Sequence, residues 1–168
     1  FFKSATRAQK KETNTKAYII RGTRIEENRI KVIEGAMSAR AVLEEAHKYN
    51  TTMTVFAASL LIWSIYQDMP ARKKKHPIVL SVPINLRHFF KSETARNFFS
   101  TMHIAYTFDQ KSADLKDIVQ NVSESFRREL TEERLQQQLN RFISLERNPF
   151  ARIVPLPLKN YSIRIANR

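Results

Sequence analysis

Two runs of β-branched and aromatic residues, 78–84 and 98–108, constrain the fold of this chain more than any other feature. The first reads Ile-Val-Leu-Ser-Val-Pro-Ile, and the second interleaves polar residues with Phe, Met, Ile and Tyr. This composition favours a pleated, half-buried surface, so it predicts two β-strands. The polar connection between them begins with Asn85-Leu86-Arg87 and ends with Arg96-Asn97. The polar and charged residues of this connection therefore lie where one predicted strand ends and the next begins.

The sequence at these strand ends resembles that of a known family. Residues 83–87 read Pro-Ile-Asn-Leu-Arg, and ten positions after Arg87 the chain reads Asn-Phe-Phe-Ser over residues 97–100. The pattern is similar to the C-terminal half of the chloramphenicol-acetyltransferase-like acyltransferases, which include alcohol O-acetyltransferases and the condensation domains of peptide synthetases. In those families a strand ending in P-x-N-x-R leads into G-N-F-x-(N/S)-T, and Arg96 stands here in place of the glycine.

The resemblance covers most of residues 17–160 and implies an α/β fold. The expected architecture is an α+β sandwich, a mixed β-sheet packed by helices, which forms one half of a CoA-dependent acyltransferase with a tunnel between the halves. For the site it implies cofactor-binding residues at the strand ends: Asn85, Arg87, Asn97, Ser100 and Thr101.

These residue types also allow structural roles. Arg87 is suited to an ion pair at a strand end, and Asn85 and Asn97 to satisfying backbone groups where two strands splay apart. Ser100 and Thr101 are the polar residues that follow Asn-Phe-Phe, and the resemblance places them facing the tunnel. His103 lies in a strand pattern, where a half-buried, satisfied imidazole is expected rather than a catalytic one.

No catalytic residue is predicted in this chain. The family transfers an acyl group from a coenzyme A thioester to a hydroxyl or amine, using the second His of H-H-x-x-x-D-G as general base. The four histidines are His47, His76, His88 and His103, and none follows another histidine. The chain is therefore expected to be a C-terminal half whose partner, an N-terminal half, carries the motif, or else a degenerate relative. Either way the isolated chain should be inactive, and acyl-CoA is a substrate rather than a bound cofactor.

The composition leaves two other functional classes open. The 168 residues include 29 Lys and Arg against 16 Asp and Glu, a net charge of +13 that favours anionic partners such as nucleic acid, an acidic membrane face or a phosphorylated cofactor. A basic nucleic-acid-binding module and a non-catalytic protein-interaction domain are the alternatives. With two glycines the chain contains neither G-x-G-x-x-G nor a P-loop, and without cysteine it has no disulfide or thiolate metal site. No metal site is predicted, and the expected compartment is the reducing cytoplasm.

The remaining patterns predict the order of elements. Residues 1–16 form a basic linker or crossover arm, and residues 17–168 form the C-terminal subdomain. Strands are predicted at 17–23 and 29–34, and a helix capped by Ser38 at 39–49. The helix predicted at 54–66 is apolar nearly all round, so it is expected to be a buried core helix. The residues Arg-Lys-Lys-Lys-His at 72–76 form a loop that is either solvated or attracts phosphate. Apolar residues spaced three and four apart predict helices from 112 to about 145, with a second cap at Thr131. Residues 161–166 are predicted to form a short final helix or strand. A half-sandwich without its partner should expose apolar surface and self-associate.

Overall fold

The computed structural model describes residues 16–22, 31–93, 95, 97–108 and 114–147 of the chain. Within these residues the elements are four α-helices and two strands, in the order α1 (Ala39–Lys48), α2 (Met53–Asp68), β1 (Ile78–Asn85), β2 (Phe99–Tyr106), α3 (Leu115–Glu129) and α4 (Glu132–Arg147). Short 3-10 turns occupy Ala71–Lys73 and Leu86–His88. The mixed α/β content is as predicted, whereas the predicted elements at 161–166 and most of the arm 1–16 lie outside the described residues.

The chain divides into two compact units. The first comprises Phe1–Ile84 and Thr101–Phe126, and the second comprises Asn85–Ser100 and Arg127–Arg168.

The two strands predicted around residues 78–108 are confirmed, and they pair as a two-stranded antiparallel sheet. Burial alternates with the period of two that a sheet with one covered face requires. The buried positions are even-numbered: Ile78 and Ile84 on β1, and Ser100, Met102 and Ile104 on β2. In the first unit the intervening positions Val79, Pro83 and His103 are exposed. His103 is therefore not the half-buried residue that its strand pattern suggested.

Helices α1 and α2 follow one another through a capped turn. Ser38 caps α1 as predicted, because its Oγ accepts a hydrogen bond from Ala41 N at 3.4 Å. Asn50 takes the left-handed conformation after the helix end, with φ 51°, and Thr52 Oγ1 then accepts from Val55 N at 3.3 Å to begin α2. Near the end of α1, the Glu45 carboxylate bonds Lys48 Nζ at 2.6 Å and raises the pKa of that ammonium group.

The core of the first unit forms where α1, α2 and α3 meet. Ala46, Phe56 and Val119 are buried together, and the half-buried side chains packed on them are Val42, Tyr49, Leu60 and Leu115. Thr51 and Ser123 share a hydrogen bond of 3.1 Å between their hydroxyls, which joins the α1–α2 turn to α3. The core therefore combines the apolar faces of three helices with one polar tie.

Helix α2 is not buried all round, contrary to the expectation from its composition. One face is covered: Val55, Ala58, Ser59 and Ile62 follow the i, i+3, i+4, i+7 spacing of a single helix side. Elsewhere around the helix Leu61 is 51% exposed and Trp63 36% exposed. The buried Ser59 hydroxyl donates to Val55 O at 2.8 Å, so it is satisfied within the helix. None of the described helices has the length and hydropathy of a membrane span.

The strands predicted at 17–23 and 29–34 are wrong for the parts that the structure describes. Residues 16–22 and 31–34 have no regular secondary structure, and Ile33 is 87% exposed. Tyr18 N donates one hydrogen bond to Pro77 O at 2.8 Å, but no ladder follows. β-Branched residues favour extended backbone, but a segment rich in them forms a strand only when a neighbouring backbone pairs with that segment.

The two C-terminal helices agree with the predicted stripe and its second cap. Ile118, Val119, Val122 and Phe126 are buried on α3. Thr131 begins α4, because its Oγ1 accepts from Arg134 N at 3.4 Å, and Leu135 one turn later is buried. Glu129 lies within ion-pair distance of Arg128 and Arg134, at 3.2 and 3.7 Å. These contacts stabilise the short break between the helices in the second unit.

Candidate functional site

The candidate site starts from the turn that ends β1 in the second unit. Asn85 is the last residue of the strand, and its Oδ1 accepts a hydrogen bond from Arg87 N at 3.1 Å. Leu86, between these two polar residues, is fully buried, and its carbonyl accepts from Phe89 N and Phe90 N at 3.0 and 2.9 Å. The apolar side chain anchors the turn, while Asn85 and Arg87 remain at its surface. This is the geometry of a side chain mimicking a backbone turn, which Asn adopts readily.

One backbone hydrogen bond brings the two motifs together. Leu86 N donates to Phe98 O at 3.1 Å, so the Pro-Ile-Asn-Leu-Arg segment and the Asn-Phe-Phe-Ser segment lie side by side in the second unit. Asn97, immediately before Phe98, is exposed. Asn85, Arg87 and Asn97 therefore lie on two adjacent backbone segments, although the connection between them contains nine residues, 88–96.

Ser100 occupies a different environment from the exposed asparagines. Its side chain is buried at 6% exposure, and its Oγ donates to Gln138 Oε1 of α4 at 3.0 Å. The hydroxyl thus connects the start of β2 to α4 within the second unit. Gln138 was missed by sequence reasoning. It stands in the polar run Gln136-Gln137-Gln138, where no local pattern separates the residue that faces the strand from its neighbours.

Thr101 belongs to the first unit and follows the alternation of β2. It is half-buried, on the sheet face opposite that of Met102 and Ile104. His103 is on the same face as Thr101 and is exposed. The structure therefore places Ser100 and Thr101 on opposite faces of the strand, as two consecutive strand residues must be.

Asn85, Arg87, Asn97 and Ser100 form a cluster in the second unit, and their side chains are suited to binding a ligand rather than to transferring a proton. Two amide groups and a guanidinium supply hydrogen-bond donors, and Asn85 also uses its oxygen to hold the turn. None of Asn85, Arg87, Asn97 and Ser100 belongs to the side-chain types that commonly serve as general bases. The described residues contain no group of three or more His, Cys, Asp or Glu side chains arranged to hold a metal ion. The cluster can bind a polar or anionic group, and it contains no general base.

Comparison of the chain with protein-family models, with curated proteins and with solved structures found no match in any of the three.

Proposed function

We propose that this chain is the C-terminal subdomain of an acyl-CoA-dependent O-acyltransferase of the alcohol acetyltransferase type. In this proposal it forms one wall of the tunnel for coenzyme A and the acceptor. The observation that carries the proposal is the hydrogen bond of 3.1 Å from Leu86 N to Phe98 O. It unites, at one turn, the two motifs on which the family resemblance rests.

The boundaries of the strands support the same assignment. In the families that this chain resembles, one strand ends in P-x-N-x-R and a second strand begins after G-N-F. Here β1 ends at Asn85 and β2 begins at Phe99. Arg96, which stands in place of the family glycine, comes three positions before the first residue of β2 in the sequence.

The exposed sheet face of the first unit is also what a tunnel wall requires. Val79, Pro83 and His103 are exposed on that face, whereas Met102 and Ile104, on the other face, are buried. In the proposed enzyme this face meets the N-terminal half. The general base there removes the acceptor's proton, the new C–O or C–N bond forms at the thioester carbonyl as the C–S bond breaks, and the proton passes to the coenzyme A thiolate.

Reconstitution tests the proposal. The chain is expressed in continuity with the upstream part of its own reading frame and supplied with acetyl-CoA and a small alcohol. Free thiol is then measured with a thiol reagent, and this chain adds no background because it has no cysteine. The joined protein should release coenzyme A, and the isolated 168 residues should release none.

Arg87→Ala in the joined protein should raise KM for acetyl-CoA more than it lowers kcat, because the guanidinium is proposed to bind cofactor rather than to take part in proton transfer. Arg127→Ala removes an exposed cation elsewhere and serves as the control. An upstream frame without H-H-x-x-x-D-G, or turnover by the isolated chain, would overturn the proposal. Steeply salt-dependent DNA binding by an inactive joined protein would favour the basic nucleic-acid module instead.

A further inference from the structure

The basic loop between α2 and β1 has a defined backbone rather than an open course. Its six residues, Ala-Arg-Lys-Lys-Lys-His at 71–76, begin with a 3-10 turn over Ala71–Lys73. Lys73 N donates to Pro70 O at 2.7 Å, and His76 N donates to Lys73 O at 2.9 Å. Because these bonds close successive turns, they define the backbone positions from which the side chains extend.

Lys74 is engaged within the fold. Its Nζ lies 4.2 Å from the centre of the Tyr66 ring, and Phe108 stacks on Tyr66 with ring centres 3.7 Å apart. Since Phe108 covers one face of Tyr66, the ammonium group lies over the other face in a cation–π contact. Phe108 is itself buried, so its stacking restricts the movement of the Tyr66 ring that contacts Lys74.

The far end of the loop is tied as well. His76 Nδ1 lies 3.0 Å from Lys16 O, and Tyr18 N donates to Pro77 O at 2.8 Å. These two contacts join the loop to residues 16–18 and bring the backbone of Lys16 to it. The loop is therefore anchored by Lys74 in its middle and by His76 at its end.

Three cations remain outside these anchors. Arg72, Lys73 and Lys75 are exposed, and within the described part of the chain none of the ion pairs involves any of them. Like charges held close together raise the local potential and attract an anion. The backbone bonds and the contact of Lys74 limit how far the backbone positions of these three residues can separate.

We propose that Arg72, Lys73 and Lys75 form a binding surface for the phosphate groups of a small ligand with at least two phosphates, with Tyr66 and Lys74 holding the loop in place. A guanidinium donates two parallel hydrogen bonds to phosphate oxygens, and the lysines add compact charges. A duplex nucleic acid is a poorer fit, because sites for it commonly make about 6–10 phosphate contacts. The inference is carried by the loop alone and goes beyond the proposed acyl transfer.

Titration of the 168-residue chain with inorganic pyrophosphate and, separately, with coenzyme A tests the site, using calorimetry at low and high salt. Arg72→Ala/Lys73→Ala/Lys75→Ala should weaken binding of both ligands at least about tenfold. The control variant Lys31→Ala/Lys116→Ala/Arg127→Ala removes the same charge from exposed residues elsewhere. It should change the affinity by no more than about twofold. Equal losses in the two variants would show that net charge alone attracts the ligand, and would overturn the site.

The anchor has its own test, which leaves every cation in place. Tyr66→Phe retains the ring and should bind pyrophosphate like the unchanged chain, whereas Tyr66→Leu removes the cation–π contact and should weaken binding about threefold or more. Circular dichroism verifies that Tyr66→Leu is folded, and the triple variant remains decisive if it is not. Vesicles containing anionic phospholipid separate the two sources of phosphate. Vesicle binding lost in the triple variant, without binding of pyrophosphate or coenzyme A, would overturn the small-ligand assignment.

Discussion

Tyr66 and Phe108 stack face to face, with ring centres 3.7 Å apart and an angle of 15° between the ring planes. Tyr66 lies in the last turn of α2, and Phe108 lies two residues beyond the end of β2. Tyr106 adds an edge-on contact to Phe108 at 4.7 Å. Three aromatic rings thus join the end of a helix to the end of a strand. Tyr66 and Phe108 are 42 positions apart in the sequence, and Lys74 of the neighbouring loop lies over the Tyr66 ring.

Breaking this stack should destabilise the first unit. Phe108 is 6% exposed, so Phe108→Ala should lower the free energy of unfolding by about 3–5 kcal/mol. A double-mutant cycle of Phe108→Leu and Tyr66→Leu isolates the ring–ring term, expected at about 0.5–1.5 kcal/mol. Chemical denaturation measures both quantities. Phe99→Ala, at a ring that is 59% exposed, is the control and should cost much less. A coupling energy near zero would mean that the two rings contribute only their separate burial.

The two sides of α2 should respond differently to truncation. Ile62 is fully buried and Leu61, its neighbour in sequence, is 51% exposed. Ile62→Ala should cost about 2–5 kcal/mol because it leaves a cavity, whereas Leu61→Ala should cost less than about 1 kcal/mol because much of that side chain already contacts water. The denaturation midpoints of the two variants give the comparison. Equal losses at both positions would indicate that Leu61 is covered in solution, for example by self-association, and dilution would then reduce the effect.

The difference between Ile62 and Leu61 also marks how far sequence reasoning reaches. Helix α2 was predicted from its continuous apolar run, but a helix with apolar residues on all sides does not indicate which side its neighbours cover. The strands β1 and β2 were predicted from their β-branched and aromatic composition. In β2 the interleaved polar residues also indicate which face is buried. The segments at 17–23 and 29–34 have similar local preferences, and in their described parts no neighbouring backbone pairs with them to form a strand.

The candidate site divides in the same way. The residues at the strand ends were identified from motifs that are contiguous in sequence, and the turn at Asn85 follows from the local chemistry of an asparagine side chain. The partner of Ser100 could not be predicted, since Gln138 lies 38 positions away on another element. The anchoring of Lys74 on Tyr66 was missed for the same reason, because a charge run in sequence carries no information about which of its members contacts a ring.

The turn at the end of β1 should depend on its buried leucine more than on its polar neighbours. Leu86 is fully buried, so Leu86→Ala should cost about 2–5 kcal/mol. Asn85→Ala removes the acceptor for Arg87 N and should cost about 0.5–2 kcal/mol, and Asn85→Asp should recover most of that loss because its carboxylate oxygen can accept the same bond. Thermal and chemical denaturation provide the measurements. Asn85→Asp as destabilising as Asn85→Ala would show that the amide nitrogen, rather than the oxygen, matters at this turn.

The hydrogen bond between Ser100 and Gln138 should couple β2 to α4 in the second unit. Ser100 Oγ is a buried donor 3.0 Å from Gln138 Oε1. Ser100→Ala should lower the free energy of unfolding by about 1 kcal/mol, because it leaves the amide oxygen without this donor. Gln138→Met keeps much of the side-chain volume and removes the acceptor, so it should cost more than Ser100→Ala by leaving a buried hydroxyl unsatisfied. In the double variant the loss should be smaller than the sum of the two single losses by about 0.5–1.5 kcal/mol. Gln137→Met, at the exposed neighbour on the same helix, is the matched control and should show no coupling to Ser100→Ala. Additive losses for Ser100→Ala and Gln138→Met would mean that this hydrogen bond does not couple β2 to α4.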